Sequence, residues 1–423
     1  MSVFEKSLFA EWLACGSGIE SLMDDLGHAL AEGGGSTKML GGGNPALIPA
    51  VEECWRQRIA ELLGDGDRFD RMLGVYDPPK GNSRFILALA AFLQREFGWN
   101  VGAEHIAVTA GGQTAFFYLF NLLAGEFAGG RRKRVLLPVV PEYIGYANQG
   151  VGPDLFRGVM PEIEHLGAHS FKYRVDFSRL EVGGDIGAIC ASRPTNPSGN
   201  VLTDTEVAHL DALARDAKVP LILDNAYGAP FPGILFTHIQ PVWNENIILT
   251  FSLSKLGLPG TRTGIIVAHP DIIRSIASMN AIVGLANGNL GQALVTPLLE
   301  SGEIRRLVSD HIRPYYERKA RNARRWVAEA FDDAIDYHVH ASEGALFLWI
   351  WFRGMPVSSA ELYRRLKARG VLVVPGHYFA IGCPEVEEHA SRCIRVSFAM
   401  EDEVVEAGIR AIADEVARIY AGD

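Results

Sequence analysis

The stretch Ile247-Ile-Leu-Thr-Phe-Ser252-Leu-Ser-Lys255-Leu-Gly257-Leu-Pro-Gly260-Thr-Arg262-Thr-Gly264 begins as an apolar run and ends in small hydroxyl residues, one lysine and a glycine-rich turn. The run Ile247 to Phe251 is short, β-branched and aromatic, and it predicts a buried strand. In an open α/β sheet, a lysine leaving a strand this way stands over the pocket where strand ends and helix N-termini converge. Desolvation or Schiff-base formation supplies the deprotonated amine that nucleophilic chemistry needs. Taken alone, Lys255 reads equally well as a surface lysine after a strand.

Three other segments repeat the arrangement of a strand that delivers polar residues. Leu221-Ile-Leu-Asp224-Asn-Ala-Tyr227 is an apolar strand that presents an acid and then a tyrosine. An aspartate there can cap a turn, bind a metal, act as a base or pair with a protonated ring nitrogen. Only the last makes electronic sense beside a lysine-bound pyridine, because a protonated ring is the better electron sink. Thr109-Ala-Gly111-Gly112-Gln113-Thr-Ala follows the strand His105 to Thr109 and opens a helix, so its backbone N–H groups and helix dipole can hold a phosphate. It matches neither the G-x-x-x-x-G-K-[ST] nor the G-x-G-x-x-G pattern. Arg193-Pro-Thr-Asn196-Pro-Ser-Gly199 is a turn that brings an amide to the same rim.

Around these motifs, helical and strand patterns alternate from about Val51 to Val267, the signature of α/β units on a mainly parallel sheet. Expected strands are Arg134 to Pro138, Ile186 to Ser192 and Pro220 to Asp224, and expected helices are Arg84 to Phe97, Thr114 to Ala124 and Asp204 to Ala217. Glu303 to Phe331 is a long charge-rich helical pattern that Pro314 kinks or splits. Beyond it, Gly344 to Phe352, the helix Ser358 to Arg369, Val371 to Pro375 and Cys393 to Ala399 suggest a smaller α+β domain joined by part of the N-terminus.

The composition excludes other classes of protein. The 423 residues are 48% hydrophobic and 21% charged with a formal net charge of −10, which describes a globular chain that repels nucleic-acid phosphate. No stretch approaches a membrane helix, and two glutamates stand where a signal peptide is cationic and then apolar, so the expected location is cytoplasmic. Five cysteines form no C-x-x-C pair. His338 and His340 alternate on one strand face, but two histidines fall short of a metal-ligand set, so no metal is expected.

The four motifs occur in one order, each at a strand end and each meeting a different demand of one cofactor. On them, the chain resembles the fold-type I aminotransferases of the aspartate aminotransferase superfamily over nearly its whole length. Leu40-Gly-Gly-Gly-Asn-Pro45, Gln113-Thr-Ala-Phe-Phe-Tyr-Leu-Phe-Asn121, Pro141-Glu-Tyr-Ile-Gly-Tyr146, Ser192-Arg-Pro-Thr-Asn-Pro197 and Ser252-Leu-Ser-Lys-Leu-Gly-Leu-Pro-Gly260 look more closely like the bacterial valine–pyruvate aminotransferases. The resemblance implies a large domain (46–305) with a mainly parallel seven-stranded sheet sandwiched by helices that binds pyridoxal 5′-phosphate. It also implies an N-terminal segment (1–45) packing with a small domain, and an interdomain helix with that small α+β domain (306–423).

The resemblance assigns Lys255 as Schiff-base lysine and proton shuttle, Asp224 as partner of the pyridinium nitrogen, and Tyr227 and Asn196 as hydrogen-bond donors to the cofactor's phenolic oxygen. Tyr143 would stack on the ring. Gly111, Gly112, Gln113, Ser252 and Arg262 would hold the phosphate, with Tyr76 of the partner subunit reaching across in a homodimer. Arg395 would grip the substrate α-carboxylate with a two-pronged pair of hydrogen bonds, beside Asn196 and Gly43, while Arg392 is the nearby decoy. Arg262 lies seven residues after Lys255, where many relatives have eight.

The implied reaction moves an amino group between amino acids and 2-oxo acids by a ping-pong mechanism, with pyridoxamine 5′-phosphate as the intermediate form of the cofactor. Valine with pyruvate, giving 3-methyl-2-oxobutanoate and alanine, is the implied pair. No second arginine is identifiable for a side-chain carboxylate, although Arg193 keeps dicarboxylates open. Two other readings are weighed: another enzyme on this scaffold, with different amino-acid specificity or C–S β-lyase activity, and a non-enzymatic cofactor-sensing regulator. The last needs a DNA-binding module, and no basic helix-turn-helix segment flanks the core.

Overall fold

The computed structural model describes residues 4–14, 18, 20, 24, 27 and 37–422. Its larger sheet runs in the order Ile106–Thr109, Gly264–Val267, Ile247–Ser252, Leu221–Asp224, Ile186–Ser192, Arg131–Leu137, with Phe156–Gly158 beside the last. Gly264–Val267 is antiparallel to both its neighbours, and the other pairings among these seven strands are parallel. A short eighth strand, Gly125–Phe127, folds back as a hairpin arm on Arg131–Leu137.

Burial explains why near-continuous apolar runs form this sheet. Every residue of Ile186–Ser192, Leu221–Asp224 and Ile247–Ser252 is buried, as expected of central strands covered on both faces. Alternate residues serve opposite layers. Leu221 and Leu223 join the core with Phe85, Leu89 and Leu294 of the helices Ser83–Phe97 and Leu290–Ser301. Ile222 joins the opposite core with Phe116, Phe120 and Ile276 of Gly112–Leu123 and Pro270–Val283. The helices expected near residues 84–97, 114–124 and 204–217 are Ser83–Phe97, Gly112–Leu123 and Asp204–Asp216.

A second sheet of six strands has the order Val374–Pro375, Cys393–Ser397, Phe347–Phe352, Tyr337–His340, Ser170–Arg174, Glu162–Gly167. Its last two strands come from within 46–305, yet Ser170–Arg174 pairs in parallel with Tyr337–His340. The sequence reading placed no strand at 162–174. The pairing partner lies more than 160 residues downstream, and a short edge hairpin carries no local mark of the sheet it will join.

The charged helical pattern divides into Glu303–Arg306, one wide π-helical turn Leu307–Ile312, and Arg313–Ala330. Pro314 stands in the first turn of the last piece, where its missing N–H costs least, and the wide turn before it absorbs the interruption. Near the N-terminus, Lys38–Met39 pairs in parallel with Val371–Leu372, and Ser397 N donates to Leu40 O at 2.7 Å. The segment 41–45 is thereby carried over the carboxyl ends of the large sheet.

Candidate active site

Thr109, Ser192, Asp224 and Ser252 are the last residues of their strands, and the latter three line a cavity of about 280 Å³. Lys255 enters it from the single turn Leu253–Leu256, which ends at the left-handed Gly257. Trp55 Nε1 donates to Leu256 O at 2.9 Å and pins that turn to the helix Pro49–Gly64. Lys255 Nζ donates to Gly43 O at 2.5 Å and lies 5.4 Å from the centre of the Tyr227 ring. Burial first, then the charges of Arg395 and Arg262, lowers its pKa to about 8. An amine in that range supplies both base and acid near neutral pH.

Asp224 is 6% exposed and lines the cavity floor. Its Oδ1 accepts from Ala226 N at 2.8 Å and from Thr250 Oγ1 at 3.4 Å, and its Oδ2 accepts from Tyr146 Oη at 2.7 Å. Burial raises its pKa, while these three donors work in the opposite direction. Tyr146 had no assigned role in the sequence, nor did Glu142, a buried acid whose Oε1 lies 2.7 Å from Ser192 Oγ and whose Oε2 accepts from Ser192 N at 3.0 Å. Both lie in the quoted segment Pro141 to Tyr146. The available signal was an acid set within the apolar run Val135 to Tyr146, which forecasts a buried carboxyl.

Tyr143 lines the cavity with its ring edge-on to Tyr146, centroids 5.3 Å apart. Its ring lies over Gly145, where an added Cβ would fall 2.4 Å from Tyr143 Cε1, so the close approach requires glycine.

At the opposite corner, Gly112 opens the twelve-residue helix Gly112–Leu123, whose first N–H groups have no partners within the helix. Gly112, Gln113, Ser252, Ser254 and Arg262 all line the cavity there. Gln113 Nε2 donates to Gly145 O at 2.8 Å, so its side chain is tied back toward the Tyr143 segment. Gly111 has φ +93°, and a Cβ there would meet Arg262 Nη2 at 2.2 Å. The turn Pro259–Thr261 followed by a left-handed Arg262, φ +47°, returns the guanidinium to this corner despite the seven-residue spacing. Left-handed backbone costs a side-chain-bearing residue about 1–2 kcal/mol.

Arg395 reaches the cavity from the second sheet, 3% exposed. Its Nη1 donates to Asn196 Oδ1 at 2.8 Å and its Nη2 to Gly41 O at 2.7 Å, while Nε has no hydrogen-bond partner among the described residues. The guanidinium stacks over Phe347 at 4.2 Å and near Phe379 at 5.4 Å. Burial lowers its pKa to about 10, which leaves it charged at neutral pH. Asn196, Gly43 and Tyr227 line the same space.

Three residues lie elsewhere. Arg392 donates to Val357 O at 3.2 Å and is not part of the lining. Arg193 is 2% exposed and points away, donating to Asp204 at 2.6 Å and Leu202 O at 2.7 Å, which removes it as a site for a second substrate carboxylate. Tyr76 is 81% exposed and outside the cavity of its own chain.

The donor set fits pyridoxal 5′-phosphate group by group. A buried lysine of lowered pKa suits an aldehyde, a buried acid suits a protonated ring nitrogen, and a helix N-terminus with a hydroxyl and an arginine suits a phosphate. The absence of a side chain on Gly111 leaves room for the Arg262 guanidinium at that last corner.

Comparison with known proteins bears on the family and the fold. The family described as aminotransferase class I and II matches residues 162–412. The valine–pyruvate aminotransferase of Escherichia coli K12 is 45% identical over 419 residues, covering 98% of this chain and 99% of the relative. The crystal structure of valine–pyruvate aminotransferase AvtA from Salmonella typhimurium LT2 superposes with a TM-score of 0.88 at 43% identity, covering 96% of this chain and 100% of the other. A crystal structure from Psychrobacter arcticum 273-4 gives a TM-score of 0.95 at 44% identity, covering 99% and 100%.

Proposed function

Because the chain belongs to the aminotransferase class I and II family, we propose that it transfers the amino group of valine to pyruvate, giving 3-methyl-2-oxobutanoate and alanine, with pyridoxal 5′-phosphate as cofactor. The observation that carries this reading is the 45% identity over 98% of the chain to an enzyme of that specificity. The lining supports it: Arg395 is the buried guanidinium of the cavity, Arg262 is at the phosphate corner, and Arg193 is turned away.

When bound, the cofactor supplies a pyridinium ring that takes up the electron pair released at the substrate Cα. Lys255 would hold it covalently, Asp224 at the ring nitrogen, Tyr227 and Asn196 at the phenolic oxygen, Tyr143 at the ring face, and Gly111, Gly112, Gln113, Ser252 and Arg262 at the phosphate. Arg395 binds the α-carboxylate of amino acid and 2-oxo acid in turn, so both half-reactions use one cavity, with Gly43 beside the substrate. Lys255 Nζ takes the Cα proton and returns it on the far side of the transfer.

A homodimer belongs to the same proposal, with Tyr76 of the partner subunit completing the phosphate corner. The 81% exposure of Tyr76, beside exposed Leu73 and Val75, is in keeping with it. The segments 1–45, 46–305 and 306–423 as units of the fold belong to the proposal too, with the Glu162–Arg174 hairpin lent to the third. A cytoplasmic location is likewise proposed. Among the described residues no helix is long and apolar enough to cross a membrane, and four cysteines are free thiols.

The test is to load the protein with pyridoxal 5′-phosphate and follow loss of the visible cofactor band on adding single amino acids. Valine and alanine are expected to bleach it at least about 100-fold faster than aspartate, given the several kcal/mol needed to bury an unpaired second carboxylate. Faster bleaching by aspartate overturns the substrate assignment. Release of ammonia from β-substituted substrates in place of bleaching overturns transamination. In Arg395→Lys, a point charge replaces a planar fork, which removes a charged hydrogen bond worth about 1.5–3 kcal/mol. The expected result is a roughly 10- to 150-fold rise in KM for valine and pyruvate with a smaller change in kcat, read from steady-state kinetics.

A further inference from the structure

Joined to the lining residue Ser192, but not itself lining the cavity, is a second buried carboxyl that the proposed chemistry does not use. Glu142 is 2% exposed, Ser192 3%, Tyr146 0% and Asp224 6%. Glu142 Oε1 lies 2.7 Å from Ser192 Oγ and accepts from Tyr143 N at 2.9 Å, while Oε2 accepts from Ser192 N at 3.0 Å. Ser192 Oγ is 3.3 Å from Tyr146 Oη, which donates to Asp224 Oδ2. Four side chains thus form one buried row from Glu142 to Asp224.

No lysine, arginine or histidine forms an ion pair or hydrogen bond with Glu142 among the described residues. The ionisable groups acting on it are Asp224 at the far end of the row, Tyr146 within it, and Cys190 on the strand Ile186–Ser192, with Tyr143 next in the chain. All of these are neutral or negative. Two ionised carboxyls in one dry network repel each other without compensation, so one remains protonated. Asp224 lines the cavity, where it would pair with the cofactor's cationic ring; Glu142 does not line it. Burial, with a smaller contribution from the Asp224 charge, pushes Glu142 up to about 8, although its hydrogen bonds with Ser192 and Tyr143 work in the opposite direction.

Protonation sets the sense of the row. An ionised Glu142 draws the Ser192 hydrogen to itself. A neutral one donates its own, which frees the Ser192 hydrogen for Tyr146 and aligns all the donors toward Asp224. We propose that Glu142 is a positioning residue which, as a neutral acid, orients Ser192 and Tyr146 so that Asp224 is the single ionised carboxyl of the network and keeps its place beneath the cofactor ring. The inference rests on the cofactor reading above.

The first test uses cofactor-free protein. Between about pH 4.5 and pH 8 the native state holds a proton on Glu142 that the unfolded chain has lost, so wild-type stability falls as pH rises through that window. Glu142→Gln has no such proton to lose. Its Tm is expected to fall from pH 5 to pH 8 by roughly 5 °C less than that of wild type. The second test is the dissociation constant of pyridoxal 5′-phosphate at pH 7. Glu142→Gln is expected to stay within about 3-fold of wild type, whereas Glu142→Ala and Ser192→Ala each weaken binding by about 10-fold, without adding in the double variant. Parallel Tm traces, or Glu142→Gln binding as weakly as Glu142→Ala, overturn the proposal. If Glu142→Ala does not fold, Ser192→Ala and the Gln variant decide the matter. Wild type that binds no cofactor overturns the function itself, and the Tm comparison still reports the protonation of Glu142.

Discussion

Lys255→Ala is expected to lower kcat for valine–pyruvate transfer by at least about 10⁴-fold, because it removes the covalent anchor and the proton carrier together. Its Nζ is the amine in the cavity within reach of both the Gly43 backbone and the Tyr227 ring, and burial has already brought it to about 8. Lys255→Arg is expected to be as inactive as the alanine variant. A guanidinium keeps the positive charge but stays protonated throughout the working pH range, so it can neither attack a carbonyl carbon nor accept a proton. If Lys255 were only a charge partner for Gly43 O, arginine would preserve most of the activity. Steady-state rates and the cofactor absorbance of the three proteins separate the two cases. Binding through the phosphate corner persists in both variants, since Gly111, Gly112 and Arg262 are untouched.

Asp224→Asn is expected to lower kcat by about 10³-fold while the fold survives. An ion pair at about 4 Å with an effective dielectric near 20 is worth about 4 kcal/mol, or three powers of ten in rate when the charge is needed in the transition state. Asparagine keeps the shape and can still accept from Ala226 N, which now holds Asp224 Oδ1 at 2.8 Å. It cannot carry the negative charge, and its Nδ2 turns the Tyr146 contact around. Asp224→Glu is expected to lose activity as well, because the longer acid enters a floor that Tyr146, Ala226 and Thr250 have shaped for the shorter one. A Tm within a few degrees of wild type, alongside the kinetic loss, assigns the effect to charge. A kcat within 10-fold of wild type for Asp224→Asn would remove Asp224 from the electron-sink role.

How much of the site could be read in advance follows from how local each signal is. Lys255, Asp224, Asn196 and the Gly111–Gly112 pair each follow directly on an apolar run, and a strand end is recognisable within ten residues. Arg395 was placed by resemblance. Its guanidinium meets Asn196, 199 residues earlier, and Gly41, 354 residues earlier, and no periodicity links such positions. Arg193 belonged to a quoted motif and was a candidate for a second carboxylate; its direction was decided by Asp204, on the helix that packs behind its strand.

The sequence by itself determined the central strands and flanking helices of the larger sheet, the candidate site residues and, through likeness, the cofactor and reaction. These depend on local alternation of apolar and polar side chains and on motifs that survive in a single dimension. Tertiary structure alone decided that Glu162–Arg174 completes the second sheet, that the segment 41–45 lies over Lys255, and that Glu142, Ser192 and Tyr146 form one row ending at Asp224. Each of these is a contact between distant parts of the chain, set by packing and by the requirement that buried polar groups find partners, and neither acts until the layers have closed.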